Sequence, residues 1–275
     1  MNDVPSPTKR VDCVARRQDE STRASRVIPE ETPVAFTYGG STHAVMMATP
    51  ADLEDFAFGF ALTEGLIDAL PEADEVEIVA SDAGVEVRTW LAGGRQAAYA
   101  ERRRSMAGPT GCGLCGIESL EAATRSLPTL DNRMTVRADA LIEAMERLPA
   151  LQKINQETRA VHAAAFWQPA TGLLIVREDV GRHNALDKLA GALLRQGITA
   201  SQGVILMTSR VSVELIQKAA RIGAPIIAAV SAPTALAVRN AEKCGMTLVA
   251  VVRGRDFEIF TYPERILEQV SSHVA

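Results

Sequence analysis

The sequence predicts an α/β protein with a mainly parallel sheet in its C-terminal half and a smaller α+β region before it. Two observations predict this class. After residue 160, short apolar runs alternate with helical patterns, the signature of strands covered by helices. Hydrophobic residues make up 47% of the 275 while aromatics make up only 4%, so the core is aliphatic packing rather than stacked rings. A chain of this length suggests one large domain or two modest ones.

Residues 1–31 mix Lys, Arg, Asp, Glu, Ser and Pro without hydrophobic periodicity, which predicts a solvated, disordered leader. Apolar runs at 33–38 and 43–48 flank Gly39-Gly40 and read as two strands about a glycine turn. Thr49 and Pro50 then introduce a helix over 52–67, because Leu53, Phe56, Ala57, Phe60 and Ala61 recur at helical spacing. Strands follow at 76–80 and 85–91, joined at Asp82-Ala83-Gly84, with a third at 98–104. Four glycines and a proline make 108–116 a loop, and Ile117, Leu120, Thr124 and Leu127 mark a short helix behind it. A helix over 138–148 shows Leu141, Ile142, Met145 and Leu148 on one face and closes a first region, 32–149.

The second region, 150–275, opens with a hairpin of 161–167 and 173–177 across Pro169-Ala170-Thr171-Gly172. Strands at 204–208, 226–231 and 248–253 then alternate with helices at 184–196, 213–222 and 233–243. No stretch reaches the roughly 18 apolar residues of a membrane span, and the N-terminus lacks the apolar core of a secretory signal, so we expect a cytoplasmic protein. The formal charge of −5 argues against a nucleic-acid binder that works by broad phosphate neutralisation.

Four cysteines occur, at Cys13, Cys112, Cys115 and Cys244. Cys13 and Cys244 read as small hydrophobes. The other two stand in Gly111-Cys112-Gly113-Leu114-Cys115-Gly116, a glycine-rich loop before a helix start, where backbone N–H groups and the nearby Arg102-Arg103-Arg104 run favour the thiolate. A structural zinc site needs a second CxxC or a histidine pair, and the chain offers only scattered His43, His162, His183 and His273. A zinc deaminase needs a His-x-Glu, but His43 precedes Ala44-Val45 and His162 precedes Ala163-Ala164. A thioredoxin-like exchanger carries its pair after the first strand of a small domain, not a hundred residues in. Sulfur carriage remains: a thiolate accepts sulfane sulfur as a persulfide, and the second thiol stabilises or attacks it.

Ligands of such a sheet bind outside the strand C-termini, where helix N-termini point. Each junction here carries anion-holding groups. Gly181-Arg182-His183-Asn184 follows the second hairpin strand, with Asn184 as an N-cap, and Ser209-Arg210 follows the next strand. Ser231-Ala232-Pro233-Thr234 is a third junction, with Ser231 as the capping residue, and Arg253-Gly254-Arg255 is the fourth. Such an edge suits pyrophosphate, since Arg binds phosphate oxygens bidentately. Asp187 and Lys188, one turn on, read as braces.

With these residues in view the chain resembles the FdhD family of sulfur carrier proteins required for formate dehydrogenase activity. The matching text includes 33–35, 47–56, 110–116, His162-Ala163-Ala164, 177–188, 230–234 and Arg253-Gly254. The resemblance implies a cytidine-deaminase-like core, a cysteine desulfurase of the IscS type as sulfur donor, and molybdenum bis(molybdopterin guanine dinucleotide) as the acceptor, bound transiently as substrate before insertion into formate dehydrogenase. It further implies Cys112 as the persulfide carrier, homodimerisation, and a cofactor-binding stretch at Val251, Val252, Arg253, Gly254, Arg255 and Asp256. The alternative is a molybdenum-cofactor-binding chaperone without sulfur chemistry. Two departures from the family pattern stand out: Thr208-Ser209-Arg210 where Ser-Gly-Arg is common, and Phe260 where a tyrosine is frequent.

Overall fold

The computed structural model describes residues 3–70, 73–92, 94–95, 127–131 and 133–268. The expectation of a disordered leader is corrected by a long antiparallel hairpin, β1 (Thr8–Arg17) and β2 (Glu20–Pro29), turned by Gln18 and Asp19 at positive φ. Every side chain in its strands is exposed or half-buried, so no alternation of apolar residues marks it in the sequence. Arg26 Nη2 fastens it to the body by donating to Thr158 O at 3.4 Å.

Four strands form the next sheet: β3 (Thr32–Tyr38), β4 (Ser41–Ala48), β5 (Ala73–Ser81) and β6 (Gly84–Leu91), in the order β4-β3-β6-β5. Only β3 and β6 pair in parallel. Val34, Phe36, Val85 and Val87 face the stripe Leu53, Phe56 and Phe60 of α1 (Leu53–Thr63), the stripe that the helical spacing predicts. Phe36 stacks on Phe60 at 4.2 Å and meets Phe56 edge-on at 4.8 Å. The helix stops short of the expected residue 67 because Gly65 adopts φ 74°, a left-handed turn that caps a helix at little steric cost.

After β7 (Val136–Arg137) come α2 (Ala138–Leu151) and α3 (Lys153–Thr158), the latter not apparent in the sequence. The second large sheet comprises β8 (His162–Gln168), β9 (Leu173–Asp179), β10 (Val204–Met207), β11 (Ile226–Ala229), β12 (Thr247–Arg253) and β13 (Asp256–Ile259), and β14 (Ile266–Leu267) pairs with β7. The α/β class is as expected. Within this six-stranded sheet parallel pairing is confined to β10, β11 and β12, however, because β8 inserts antiparallel between β9 and β10, and β13 folds back on β12.

Helices α4 (Arg182–Arg195), α5 (Val213–Arg221) and α6 (Ala235–Cys244) cover one face of this sheet around Phe166, Ile205, Ile227 and Leu248. The other face packs Leu206, Ala228 and Val249 against Leu141, Met145 and Leu148 of α2. The two halves of the chain join where α1 lies directly on α4. Among the described residues no helix is long and apolar enough to cross a membrane.

Candidate functional site

Strands β9, β10, β11 and β12 run the same way, so their C-terminal ends open onto one edge, where the following helices begin. Most of the expected ligand residues gather there. Gly181, Arg182 and His183 follow β9, Arg210 follows β10, and Ser231 and Thr234 follow β11. Arg253 ends β12, Gly254 and Arg255 make the turn, and Asp256 opens β13. A bridge from Val211 to Pro233 stitches two of these loops, with Thr234 N donating to Val211 O at 2.9 Å. Four strand spacings separate the β9 end from the β12 end, about 19 Å. The residues therefore line an elongated edge and do not close on one point.

Asp179, fully buried at the end of β9, organises the β9 end of this edge. Its carboxylate accepts from Thr49 N at 3.0 Å, Gly181 N at 2.7 Å and Asn184 Nδ2 at 2.9 Å, and pairs with the buried Lys188 Nζ at 2.7 Å. Lys188 also donates to Thr49 O at 2.8 Å, and Asn184 Nδ2 donates to Met47 O at 2.9 Å. Asn184, expected to face ligand and to cap the helix, is instead 3% exposed and ties β4 to the β9 loop. Gly181 takes the N-cap position, and a side chain there would strike Asn184 Nδ2 at 2.8 Å. Asp187 and Lys188 do act as braces: Asp187 pairs with Lys218 Nζ at 2.9 Å and accepts from Thr63 Oγ1 at 2.6 Å, across α4, α5 and α1.

His183 sits half-buried above this frame. Its Nε2 lies 3.1 Å from Ser212 Oγ and 3.8 Å from a Glu214 oxygen. Burial, with the Arg182 charge beside it, pushes the imidazole down to about 4 despite the opposing Glu214 carboxylate. His162 is also pushed below its ordinary value, by burial first and then by Arg182, with Asp179 opposing. Both rings are thus neutral near pH 7. Arg182 Nε is buried with no acceptor among the described residues.

The search for anion-holding groups, which inspected only strand C-termini, passes over His162, Ser212 and Glu214. Because β8 runs antiparallel, its first residue lies at the same edge, directly across from Asp179.

The remaining expected residues divide. Arg210, Arg253, Gly254, Arg255 and Asp256 are exposed, whereas Val252 is 5% exposed and packs inward. Thr234, not Ser231, caps α6, its Oγ1 accepting from Ala237 N at 3.2 Å. Val251 adopts φ 55° at a bulge in β12, a left-handed conformation that a β-branched residue rarely takes and that places local strain at this edge. Cys112 and Cys115 lie outside the described residues, as do Arg102, Arg103 and Arg104. Cys244 is 1% exposed and burial raises its thiol, in keeping with a core role.

Compared with known proteins, residues 29–267 match the model of the FdhD/NarQ family. The chain belongs to this family. It is 53% identical over 96% of its length to a protein of Agrobacterium fabrum named Sulfur carrier protein FdhD, covering 98% of that protein. Proteins of the same name from Brucella abortus and Cupriavidus necator are 48% and 44% identical, over 93% and 98% of this chain and 95% and 94% of theirs. A crystal structure described as that of a candidate formate dehydrogenase accessory protein from Desulfotalea psychrophila superposes with a TM-score of 0.75 at 25% identity, covering 94% of this chain and 99% of that one. The FdhD/NarQ match begins at Pro29, so it leaves out β1 and nearly all of β2.

Proposed function

We propose that this chain is a sulfur carrier in formate dehydrogenase maturation. It takes a sulfane sulfur from a cysteine desulfurase of the IscS type and passes it to molybdenum bis(molybdopterin guanine dinucleotide), held as substrate. The observation that carries the reading is the 53% identity, over 96% of the chain, to a protein named Sulfur carrier protein FdhD. In the first step the Cys112 thiolate attacks the outer sulfur of the desulfurase persulfide. The donor's S–S bond breaks, its cysteine leaves as a thiolate, and Cys112 keeps the sulfane sulfur as a new persulfide. Cys115 stands three positions on: its attack on the inner sulfur forms a Cys112–Cys115 disulfide and releases the terminal sulfur as hydrosulfide for the metal, after which a cellular dithiol resets the pair.

The sheet edge supports the acceptor half of this reading. Arg253 and Arg255, exposed beside the strained Val251, offer guanidinium groups to nucleotide phosphates. Of the described residues on either side of the dithiol in the sequence, Arg95 pairs with Asp68 and Leu130 N donates to Cys244 O at 2.7 Å. We extend the proposal to a deaminase-like core, on the basis of the hairpin β8–β9 followed by parallel β10, β11 and β12, and, on the family resemblance alone, to a homodimer in the cytoplasm.

The test is mass spectrometry after incubation with a desulfurase and cysteine, where one added sulfur atom is expected on Cys112. A variant lacking both thiols that still restores formate dehydrogenase activity in cells overturns the sulfur chemistry and leaves a cofactor chaperone.

A further inference from the structure

We infer that Arg182, His183 and His162 form a distinct oxyanion station at the β9 end of the sheet edge, one that takes up a phosphate-like dianion together with a proton. This rests on reading the edge as an anion-binding one. A buried donor without an acceptor is costly, so the orphaned Arg182 Nε points to an oxygen ligand that completes it. Ser212, at the N-cap position of α5, makes no capping bond: its hydroxyl bridges His183 Nε2, 3.1 Å away, and the Glu214 carboxylate, which fixes the ring beside Arg182. Arg253 stands at the end of β12, four strand spacings or about 19 Å from the end of β9, so it belongs to the other end of the edge.

The charges facing His183 explain the proton. Arg182 on α4, His162 on β8 and Lys218 on α5 disfavour an imidazolium, while Glu214 on α5 favours it. Asp179 on β9, which faces His162, is already neutralised by Lys188 at 2.7 Å. With His183 held down at about 4, the ring is uncharged in the empty station. A dianion beside it reverses that balance, and Glu214, 3.8 Å away, helps hold the imidazolium. Binding and protonation are thus linked, and affinity rises as pH falls, up to about tenfold per pH unit for one proton.

The chain has four histidines, which makes their titration by NMR tractable. The probe is sulfate, whose charge is constant over the range, at ionic strength balanced with chloride. Sulfate is expected to move the His183 titration upward from about 4 by a pH unit or more, and His162 upward as well, with His43 unmoved. Arg182→Ala is expected to abolish the shift, and Arg182→Lys, which keeps charge but loses Nε–H, to weaken it, while an unchanged His43 signal shows that the fold is retained. A His183 titration indifferent to sulfate, or a shift that persists in Arg182→Ala, overturns the station. Guanosine diphosphate producing the same shift, with guanosine inert, assigns the station to nucleotide phosphates; a response to sulfate alone assigns it to a free oxyanion. Arg253→Ala is expected to leave the sulfate shift intact, and its loss there overturns the claim of a distinct site. Sulfur loading of Cys112, read by mass, is independent of all these results.

Discussion

Gly59 of α1 and Gly191 of α4 lie against each other's backbones: a methyl group added at Gly59 would fall 1.7 Å from Asp187 O, and one at Gly191 would fall 1.8 Å from Asp55 O. Close approach of the two helices thus depends on both residues lacking a side chain. Gly191→Ala forces the helices apart and is expected to destabilise the fold by about 3 kcal/mol or more. Denaturant unfolding checks this, with Gly197→Ala a poor control since its φ is positive, and Gly94→Ala, with open space around it, the proper one.

Lys188 and Asp179, both fully buried, form the charge pair that holds the β9 loop to Thr49. Removing one partner strands the other charge, so Lys188→Met is expected to cost about 3–5 kcal/mol. Replacing Asp179 as well should recover part of that loss, which a double-mutant cycle in urea measures.

His183 makes the fold acid-sensitive. Its folded value, about 4, lies below the ordinary 6.5, so the unfolded chain binds the proton more tightly. Its contribution is complete above pH 6.5 and is lost as pH falls toward 4, a loss of about 3 kcal/mol. His183→Gln should flatten the stability profile between those two values while leaving stability at pH 8 nearly unchanged, as urea midpoints at a series of pH values will show.

Val251→Gly removes a left-handed β-branched residue. Relief of strain worth about 1–3 kcal/mol offsets the entropy of the glycine, so the unfolding midpoint should hold or rise. The fully buried neighbour Val249→Gly should lower it by several kcal/mol.

The elements legible in the sequence are those whose periodicity reflects one buried face. The spacing of Leu53, Phe56 and Phe60 predicts α1, and the apolar runs at 204–208 and 226–231 predict β10 and β11, which end one and two residues sooner. The hairpin β1–β2 is wet on both faces, and Lys153–Thr158 is a single helical turn and a half whose start is capped by Glu178, accepting from Ile154 N at 2.9 Å and Asn155 N at 2.8 Å. No local pattern announces a cap that arrives from another strand. For the candidate site, the junction argument finds Arg182, His183, Arg210 and Arg253 because the parallel strands deliver them to one edge. It misplaces Asn184 because side-chain direction depends on Met47 O and Asp179, more than a hundred residues apart in the chain. It misses His162 because strand direction is a property of the sheet.

Among the described residues, the ribbon of β1 and β2 leaves the outer peptide groups of both strands unpaired in any sheet. Bare strand margins invite other molecules to add on and grow into fibres. Lys9, Arg10, Arg16, Arg17, Arg23 and Arg26 occupy these strands against two carboxylates, so two such ribbons repel before their margins can zip together. The positive charge on this arm is thereby a built-in guard against clumping at the concentrations of a crowded cell.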